Sequence, residues 1–416
     1  MNQSPKKPKL AAAATHAAQA IPDKYLIVLL QPDRIQEGLS TLSQSAGVNV
    51  LNAAESHQAR KNGLPLPAQC AIVFETIGVA IVRCAATRLK LLTTDLIQSD
   101  GAILAIEPER TVYALPRMKT RRGTPARPNA TQDESTETWG IQATKTGESA
   151  FSGKGVRIAV LDTGIDLTHP DFAERNIVSR SFLEGQVVQD GNGHGTHCVG
   201  IACGPLKPST LPRYGVAFEA EVYAGKVLGD AGNGSDGAVL DGINWAVENK
   251  CHIISMSLGS AVEPEQGYSK IFEEVAKRAL AAGTVIIAAA GNDSQRPDYI
   301  APVSHPANCP SILAVAAVDE QLNIAPFSSG GLVAQGGQVD VAAPGVDIRS
   351  SWPAPEEYNT ISGTSMATPF VAGIAALHTQ ANAGARGREL LNLIVQNTRR
   401  LELPSRDVGS GLIQAP

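Results

Sequence analysis

The sequence predicts an α/β protein with a mainly parallel sheet, and three observations support that prediction. Short apolar runs alternate with segments of helical spacing over residues 139–416. Runs without polar alternation are buried on both faces of a sheet, which is typical of parallel strands. A composition with 39 glycines and only 4% aromatic residues favours closely packed backbones. The predicted strands are VRIAVLD (156–162), EVYAGKVL (221–228), HIISMSL (252–258), TVIIAAAG (284–291) and SILAVAAV (311–318), and the predicted helices are 236–249 and 268–283.

The overall composition excludes several classes of protein. A formal net charge of −5 provides no general field that would attract nucleic acid or acidic membranes, so we expect neither as a partner. No run approaches 18 apolar residues, so the sequence predicts no membrane span. The six cysteines are too sparse for a disulfide scaffold, and none shows the clustered spacing of a zinc site. We therefore expect an ordinary globular protein.

The first 22 residues are interpreted as a disordered leader. Lysines precede a run of alanines there, but no segment rich in leucine or valine follows, as a secretion signal would require. The location thus stays open between a cytoplasmic protein and one exported without a conventional signal peptide. Secretion through a signal peptide is the alternative.

Residues 23–115 are predicted to form a second, smaller domain. Their apolar runs follow the order β-α-β-β-α-β, which is typical of a small ferredoxin-like α+β fold. The intervening segment 55–69 is interpreted as a loop insertion. The elements are KYLIVLL (24–30), IQEGLSTLSQSAG (35–47), two strands within AIVFETIGVAIVRCA (71–85), TRLKLLTTDL (87–96) and ILAIEPERTVYAL (103–115).

Between the two predicted domains lies a linker, residues 116–138. The segment is rich in Pro, Thr, Arg and Lys and has almost no large apolar residues. Such a composition buries too little apolar surface to fold, so we predict an exposed tether. Exposed tethers are natural sites of proteolytic cleavage.

Four polar residues stand where the larger domain would gather functional groups. Asp162 and Asn292 follow predicted strands, and ligands collect at the carboxyl ends of parallel strands. His194 lies among glycines at the predicted start of one helix, and Ser365 opens another. Each residue alone also has a structural interpretation: a turn-capping Asp, a structural His, a turn-forming Asn or an N-cap Ser.

Taken together, the segments around these residues resemble the motifs of the subtilisin-like serine peptidases. The resemblance covers residues 139–416 and rests on DTGIDLTHPDF (162–172), GHGTHCVG (193–200), AAAGN (288–292) and GTSMATPFVAG (363–373). The order Asp, His, Ser is the subtilisin arrangement. The resemblance implies a subtilisin-like three-layer α/β/α peptidase domain. Related sedolisins carry Glu and Asp where this chain has His194 and Asn292.

The resemblance also implies a mechanism. Ser365 would attack the scissile carbonyl, His194 would accept and return its proton, and Asp162 would hold the histidine tautomer. Asn292 and the backbone N–H of Ser365 would stabilise the oxyanion. No metal or organic cofactor is required for this chemistry. The protein would be a serine endopeptidase.

Two further segments resemble the edges of the family's substrate groove. The loop 229–237 and the segment 255–260 would pair with an extended polypeptide, which adds as a strand. With no charged residue at the base of the primary pocket, we expect an uncharged side chain there. The implied substrate-binding residues are Gly232, Asn233, Gly234, Ser257, Leu258, Gly259 and Ser304.

The domain at 23–115 then resembles the family's inhibitory propeptide. The resemblance implies that the segment near Val112 to Leu115 lies in the active site and that the chain is a self-processing zymogen. We also expect a monomer. The alternative is a permanent accessory domain. Relatives often bind calcium shortly after the helix of the catalytic histidine, but residues 203–216 contain no carboxylate, so calcium is not supported there. Asp171 could still serve a structural calcium, although its other ligands are not evident, and a different calcium site stays open.

Two other functions remain as alternatives. A catalytically silent binding protein could use the same fold, but the intact set of Asp162, His194, Asn292 and Ser365 argues against it. A peptidase dedicated to one partner precursor would keep the same four residues as a broadly degradative enzyme. The sequence does not separate the last two.

Overall fold

The computed structural model describes residues 25–84, 101–115, 133–263, 265–332 and 336–416. The predicted leader and the predicted helix at 87–96 lie outside the described residues. So does most of the predicted linker, of which only 133–138 are described.

A nine-stranded sheet forms the centre of the larger domain. All its pairings are parallel except that of the two short strands at one edge. Its strands are β7 Arg157–Asp162, β8 Ile177–Ser181, β9 Glu221–Lys226, β11 Ile253–Met256, β13 Val285–Ala289, β14 Leu313–Val318, β15 Val341–Pro344, β18 Thr398–Arg399 and β19 Leu412–Ile413. From the edge with the two short strands the order is β18-β19-β15-β14-β13-β11-β7-β9-β8. The strands β16 Ile348–Ser351 and β17 Tyr358–Ile361 form a separate two-stranded sheet.

Helices cover both faces of this sheet, which confirms the predicted three-layer α/β/α fold. Along β7, Ala159 and Leu161 pack in one hydrophobic cluster, whereas Ile158 and Val160 pack in another. This alternation explains why the predicted strands are apolar throughout. Residues of α5 Asp236–Glu248 and α6 Lys270–Ala281 belong to the first cluster. The second cluster contains residues of α3 Trp139–Ala143, α4 His194–Cys203, α7 Thr364–Ala381 and α8 Gly387–Gln396.

The smaller domain contains a five-stranded sheet. Its elements are β1 Tyr25–Leu30, α1 Ile35–Ala46, β2 Asn49–Asn52, α2 Ala53–Lys61, β3 Cys70–Phe74, β4 Val79–Arg83 and β5 Ile103–Pro108. The strand order is β2-β3-β4-β1-β5. Four of these strands have the ferredoxin-like order, and β2 is an extra edge strand parallel to β3. Helix α1 covers one face of the sheet, where it contributes to a small hydrophobic core of its own.

The interpretation of residues 55–69 as a loop insertion is wrong in part, because α2 occupies the first half of that segment. A reciprocal cap starts the helix. The Asn52 side chain accepts a hydrogen bond from the backbone of Glu55 at 2.8 Å, and the Glu55 carboxylate accepts one from the backbone of Asn52 at 2.9 Å. Two unsatisfied backbone donors are thus paired, which stabilises a short helix that has little apolar periodicity.

The second face of the small sheet packs on α5 and α6 of the larger domain. Ile27, Leu29 and Phe74 belong to the same hydrophobic cluster as those helices. Two carboxylates of the small domain lie at the helix starts: Glu109 accepts a hydrogen bond from the backbone of Gly237, and Glu107 accepts one from that of Lys270. Negative charge is favourable at a helix N-terminus, so these contacts stabilise the docked arrangement.

The predicted single strand at 103–115 forms two strands with different partners. Its first half is β5 in the small sheet, and its second half is β6, Thr111–Ala114. β6 lies between β10, Asn233–Ser235, and β12, Leu258–Gly259, of the larger domain. The chain therefore leaves its own sheet and enters a groove of the larger domain. Among the described residues, no helix combines the length and the apolar character needed to cross a membrane.

Candidate active site

Asp162 and His194 form a buried pair at the carboxyl edge of the main sheet. Asp162 is the last residue of β7, and its Oδ1 atom lies 2.7 Å from Nδ1 of His194. The same oxygen accepts a hydrogen bond from the backbone of Thr163 at 2.7 Å. Only 1% of Asp162 and 2% of His194 are exposed, so the pair is shielded from water. A low dielectric strengthens such a hydrogen bond.

The loop before His194 is held by Asp190, a residue that the sequence motifs did not single out. Its Oδ1 atom accepts hydrogen bonds from the backbones of Asn192 and Gly193, and its Oδ2 atom accepts two from Thr196. Asp190 is itself buried. The position of Asp190 in the sequence could have indicated this role, because an acidic residue just before the glycines can cap the turn that starts α4.

The surroundings of His194 raise its pKa well above the ordinary value. Burial alone lowers the pKa, because it disfavours the charged imidazolium. The Asp162 carboxylate outweighs burial by stabilising that cation through charge and the hydrogen bond. The Nε2 atom of His194 is buried and has no hydrogen-bond partner among the described residues. The Nε2 atom of the ring is thus available to exchange a proton with another group.

Ser365 lies in the first turn of α7, which packs against α4. Its Oγ atom donates a hydrogen bond to the carbonyl of Ser257 at 3.1 Å, and the hydroxyl of Ser257 donates one to the carbonyl of Ser365 at 2.8 Å. Cys198 connects the two helices: its Sγ atom is 3.9 Å from Nδ1 of His194 and 3.6 Å from the carbonyl of Ser365. The serine hydroxyl is therefore directed at Ser257 rather than at the histidine in this arrangement.

The orientation of the Asn292 amide is fixed by Thr364. The Oδ1 atom of Asn292 accepts hydrogen bonds from both the backbone and the hydroxyl of Thr364, each at 2.9 Å. The Nδ2 donor is buried without a hydrogen-bond partner among the described residues. Buried donors are normally paired, and an unpaired one beside a buried serine is a donor available to a ligand.

The predicted edges of the groove both pair with β6. Asn233 and Gly234 lie opposite Tyr113 and Val112, and the backbone of Ala114 donates a hydrogen bond to the carbonyl of Gly232 at 2.7 Å. On the other side, Leu258 lies opposite Ala114 and Gly259 opposite Tyr113. Both loops therefore hold an extended segment between them, which is the arrangement predicted for a substrate.

The same register places the next residue, Leu115, beside Ser257, whose carbonyl accepts the hydrogen bond from Ser365. Leu115 is 5% exposed. Ser304 is fully buried, and its side chain borders Gly259 and Gly291. It therefore lies close to Asn292, the residue that follows Gly291. These contacts bring the predicted primary pocket and the candidate catalytic groups together.

Asp171 does not fit the role of a calcium ligand. Its Oδ1 atom accepts a hydrogen bond from the backbone of Ser209 at 2.7 Å, and its Oδ2 atom accepts from the hydroxyls of Tyr214 and Tyr358 at 2.6 and 3.0 Å. Protein donors thus occupy both oxygens, whereas Ca²⁺ binds through several oxygen ligands. Asp171 stabilises the fold around the loop instead.

A buried acid–histidine pair, a serine at a helix start and a groove that takes an extended segment define a serine peptidase site. The sequence pattern described as the subtilase family matches residues 153–411, and the chain belongs to that family. It is a serine endopeptidase of the subtilisin type.

The chain is similar to several curated proteases. An alkaline protease of Alkalihalobacillus alcalophilus is 32% identical over 403 residues, which cover 96% of this chain and 92% of that protein. Subtilisin Savinase of Lederbergia lenta is 38% identical over 281 residues, 67% of this chain and 96% of that protein. Subtilisin E of Bacillus subtilis is 38% identical over 253 residues, 60% and 63% of the two chains. The first match extends into the N-terminal domain.

Proposed function

We propose that Ser365, His194 and Asp162 are the catalytic triad of this endopeptidase. The observation that supports the proposal most strongly is the buried Asp162–His194 hydrogen bond, with Nε2 of the histidine left unpaired. Once the Ser365 hydroxyl rotates from the Ser257 carbonyl to Nε2, the histidine accepts its proton as the oxygen attacks the peptide carbonyl. The same proton then goes to the leaving amine.

Asn292 serves as the oxyanion donor in this proposal, together with the backbone N–H of Ser365. The amide nitrogen of Asn292 is preorganised because Thr364 binds its oxygen. Donors that are already oriented stabilise a developing negative charge without reorganisation, and losing one such donor costs about 10²–10³ in turnover in a subtilisin. The chemistry requires no metal or organic cofactor.

The N-terminal domain acts as an intramolecular inhibitor, and the chain is a self-processing zymogen. Support comes from β6, which fills the groove between β10 and β12 in the manner of a substrate strand. Leu115 then occupies the primary pocket, which agrees with the preference for an uncharged side chain. Loss of this segment would open the groove to polypeptide substrates. A permanent accessory domain would also dock on α5 and α6, but it would not require a strand in the groove.

A fluorophosphonate probe tests the triad directly. The probe should label the wild-type protein once its peptidase activity has reached a plateau, and peptide mapping should place the label on Ser365. The His194→Ala protein should label far more slowly, because the serine then lacks its proton acceptor. Labelling of a different residue, or equal labelling of both proteins, would contradict the assigned roles.

The thiol of Cys198 gives a second test in the same region. The Sγ atom of Cys198 lies 3.9 Å from Nδ1 of His194. Burial raises the pKa of Cys198, so a mercury atom must displace the thiol proton and the reaction should be slow. An aromatic mercurial bound to this sulfur would displace the imidazole. We expect it to inactivate the wild-type protein and to spare Cys198→Val.

The matched control is Cys203→Val in the same helix, since burial raises the pKa of Cys203 to about 11. This variant should stay sensitive to the mercurial, as the wild type does. Peptide hydrolysis is the measurement for all three proteins. A Cys198→Val protein that is itself inactive, or is still inhibited, would show that the role given to this thiol is wrong.

A further inference from the structure

The far end of the groove contains a buried carboxylate that the proposed triad does not use. Asp236 is the first residue of α5, and none of it is exposed. Its Oδ1 atom lies 3.0 Å from Nε2 of His305. Its Oδ2 atom accepts hydrogen bonds from the backbone of Arg110 at 3.2 Å and from Nη1 of the same residue at 3.4 Å. The carboxylate thus binds a guanidinium from the N-terminal domain.

Backbone pairing fixes which residue of the bound segment meets Asp236. The backbone of Asp236 donates a hydrogen bond to the carbonyl of Arg110 at 3.0 Å. This bond continues the β6–β10 register one residue beyond the pair of Thr111 and Ser235. An extended peptide in the same register would therefore place its residue five positions before the primary-pocket residue against Asp236.

His305 holds the carboxylate in this position. The backbone of His305 pairs with Ser260 through hydrogen bonds of 3.0 and 2.9 Å, and its ring packs edge-on against Phe272 with centroids 4.7 Å apart. The ring is 3% exposed, and its Nε2 atom contacts only one of the two carboxylate oxygens of Asp236, Oδ1. The other oxygen, Oδ2, is the one that faces Arg110.

The cationic partner of Asp236 departs with the N-terminal domain. Arg110 also binds Glu107 at 2.9 Å, but Glu107 belongs to that same domain. Among the described residues, Asp236 forms ion pairs only with Arg110 and His305. Without Arg110, the Oδ2 atom would lose both of the hydrogen bonds that it accepts from that residue, so the open groove would favour a substrate whose cationic side chain replaces the guanidinium.

We propose that Asp236, positioned by His305, forms a distal subsite that selects a cationic side chain five residues before the primary-pocket residue. The inference rests on the proposed function, in which Leu115 occupies the primary pocket. It assigns the enzyme a preference for polypeptides with an arginine or lysine at that distance. Cation recognition at this end of the groove is independent of the uncharged preference at the primary pocket.

Two peptides that differ in one charge test this subsite. N-acetylated Arg-Thr-Val-Tyr-Ala-Leu p-nitroanilide copies residues 110–115, and its partner carries citrulline, a neutral analogue of similar shape, in place of arginine. With the full chain assayed after its activity reaches a plateau, kcat/KM at low salt should be about tenfold higher for the arginine peptide, the scale of one charge-assisted hydrogen bond. The ratio should approach one in Asp236→Asn and should largely persist in Asp236→Glu.

The ratio for the wild-type protein decides the question even if a variant fails to fold. Equal hydrolysis of the two peptides would overturn the subsite while leaving the proposed function intact. Failure to cleave either peptide after leucine would instead contradict the proposed function. Undiminished arginine preference in a folded Asp236→Asn protein would also overturn the assignment. In the full chain, Arg110→Gln should shorten the lag before activity appears, because the inhibitory segment loses the same contact.

Discussion

Replacing Ser365 with alanine is expected to reduce peptide hydrolysis by about 10⁶-fold, the loss known for the corresponding change in a subtilisin. The variant should also keep its full length of 416 residues, whereas the wild type should lose an N-terminal segment of about 115–138 residues. The physical reason is that both reactions need the same nucleophile. The structure supports this because Leu115, at the end of the segment in the groove, lies beside Ser257 and hence Ser365. Intact mass and peptide hydrolysis, followed over time, are the measurements.

A trace of processed wild-type protein provides the control for Ser365→Ala. If the variant is folded, added wild type should cut it at the site used in self-processing, because the groove-bound segment and the linker are unchanged. Spontaneous shortening of the variant alone, in a preparation free of other peptidases, would contradict self-processing. A wild-type chain that stays at full length and does not react with the fluorophosphonate would contradict the zymogen proposal as well.

The fold of the larger domain could be predicted because the patterns that indicate its strands and helices lie in short, continuous stretches of the sequence. Each core strand of the sheet is a short apolar run, and α5 and α6 begin after serines whose side chains accept hydrogen bonds from the helix backbone. The motifs around Asp162, His194, Asn292 and Ser365 are long enough to assign together. Local patterns of this kind can be recognised in a single sequence, because they do not depend on which distant segments pack against them.

Features that depend on distant partners could not be predicted in the same way. The division of residues 103–115 into two strands follows from the pairing of β6 with β10 and β12, more than 100 residues further along the chain. The buried Asp236–Arg110 contact likewise joins two domains. Helix α2 lacks apolar periodicity, although the Asn52–Glu55 cap did leave a signal in the sequence.

The second large effect concerns the carboxylate beside the histidine. Asp162→Asn is expected to lower kcat by about 10⁴-fold while leaving the fold unchanged, as in a serine protease whose triad histidine is held in the wrong tautomer. The amide can donate a hydrogen bond to Nδ1 of His194, and this would leave the proton on Nε2. A histidine protonated at Nε2 cannot accept the proton of Ser365.

The pH profile distinguishes this tautomer effect from loss of structure. In the proposed mechanism the wild type needs neutral His194 as the proton acceptor. Its kcat/KM should therefore rise with pH through a midpoint above the ordinary histidine value, because the Asp162 carboxylate raises the pKa of His194. Without that carboxylate, burial continues to lower the pKa, so the acid limb of the residual activity should move to lower pH. The matched control is Asp166→Asn, which makes the same change at another buried position. The Asp166 carboxylate accepts hydrogen bonds from Thr168 rather than from His194. This variant should retain activity within a few-fold and keep the wild-type midpoint, and an unshifted profile in Asp162→Asn would show that Asp162 does not act through the histidine.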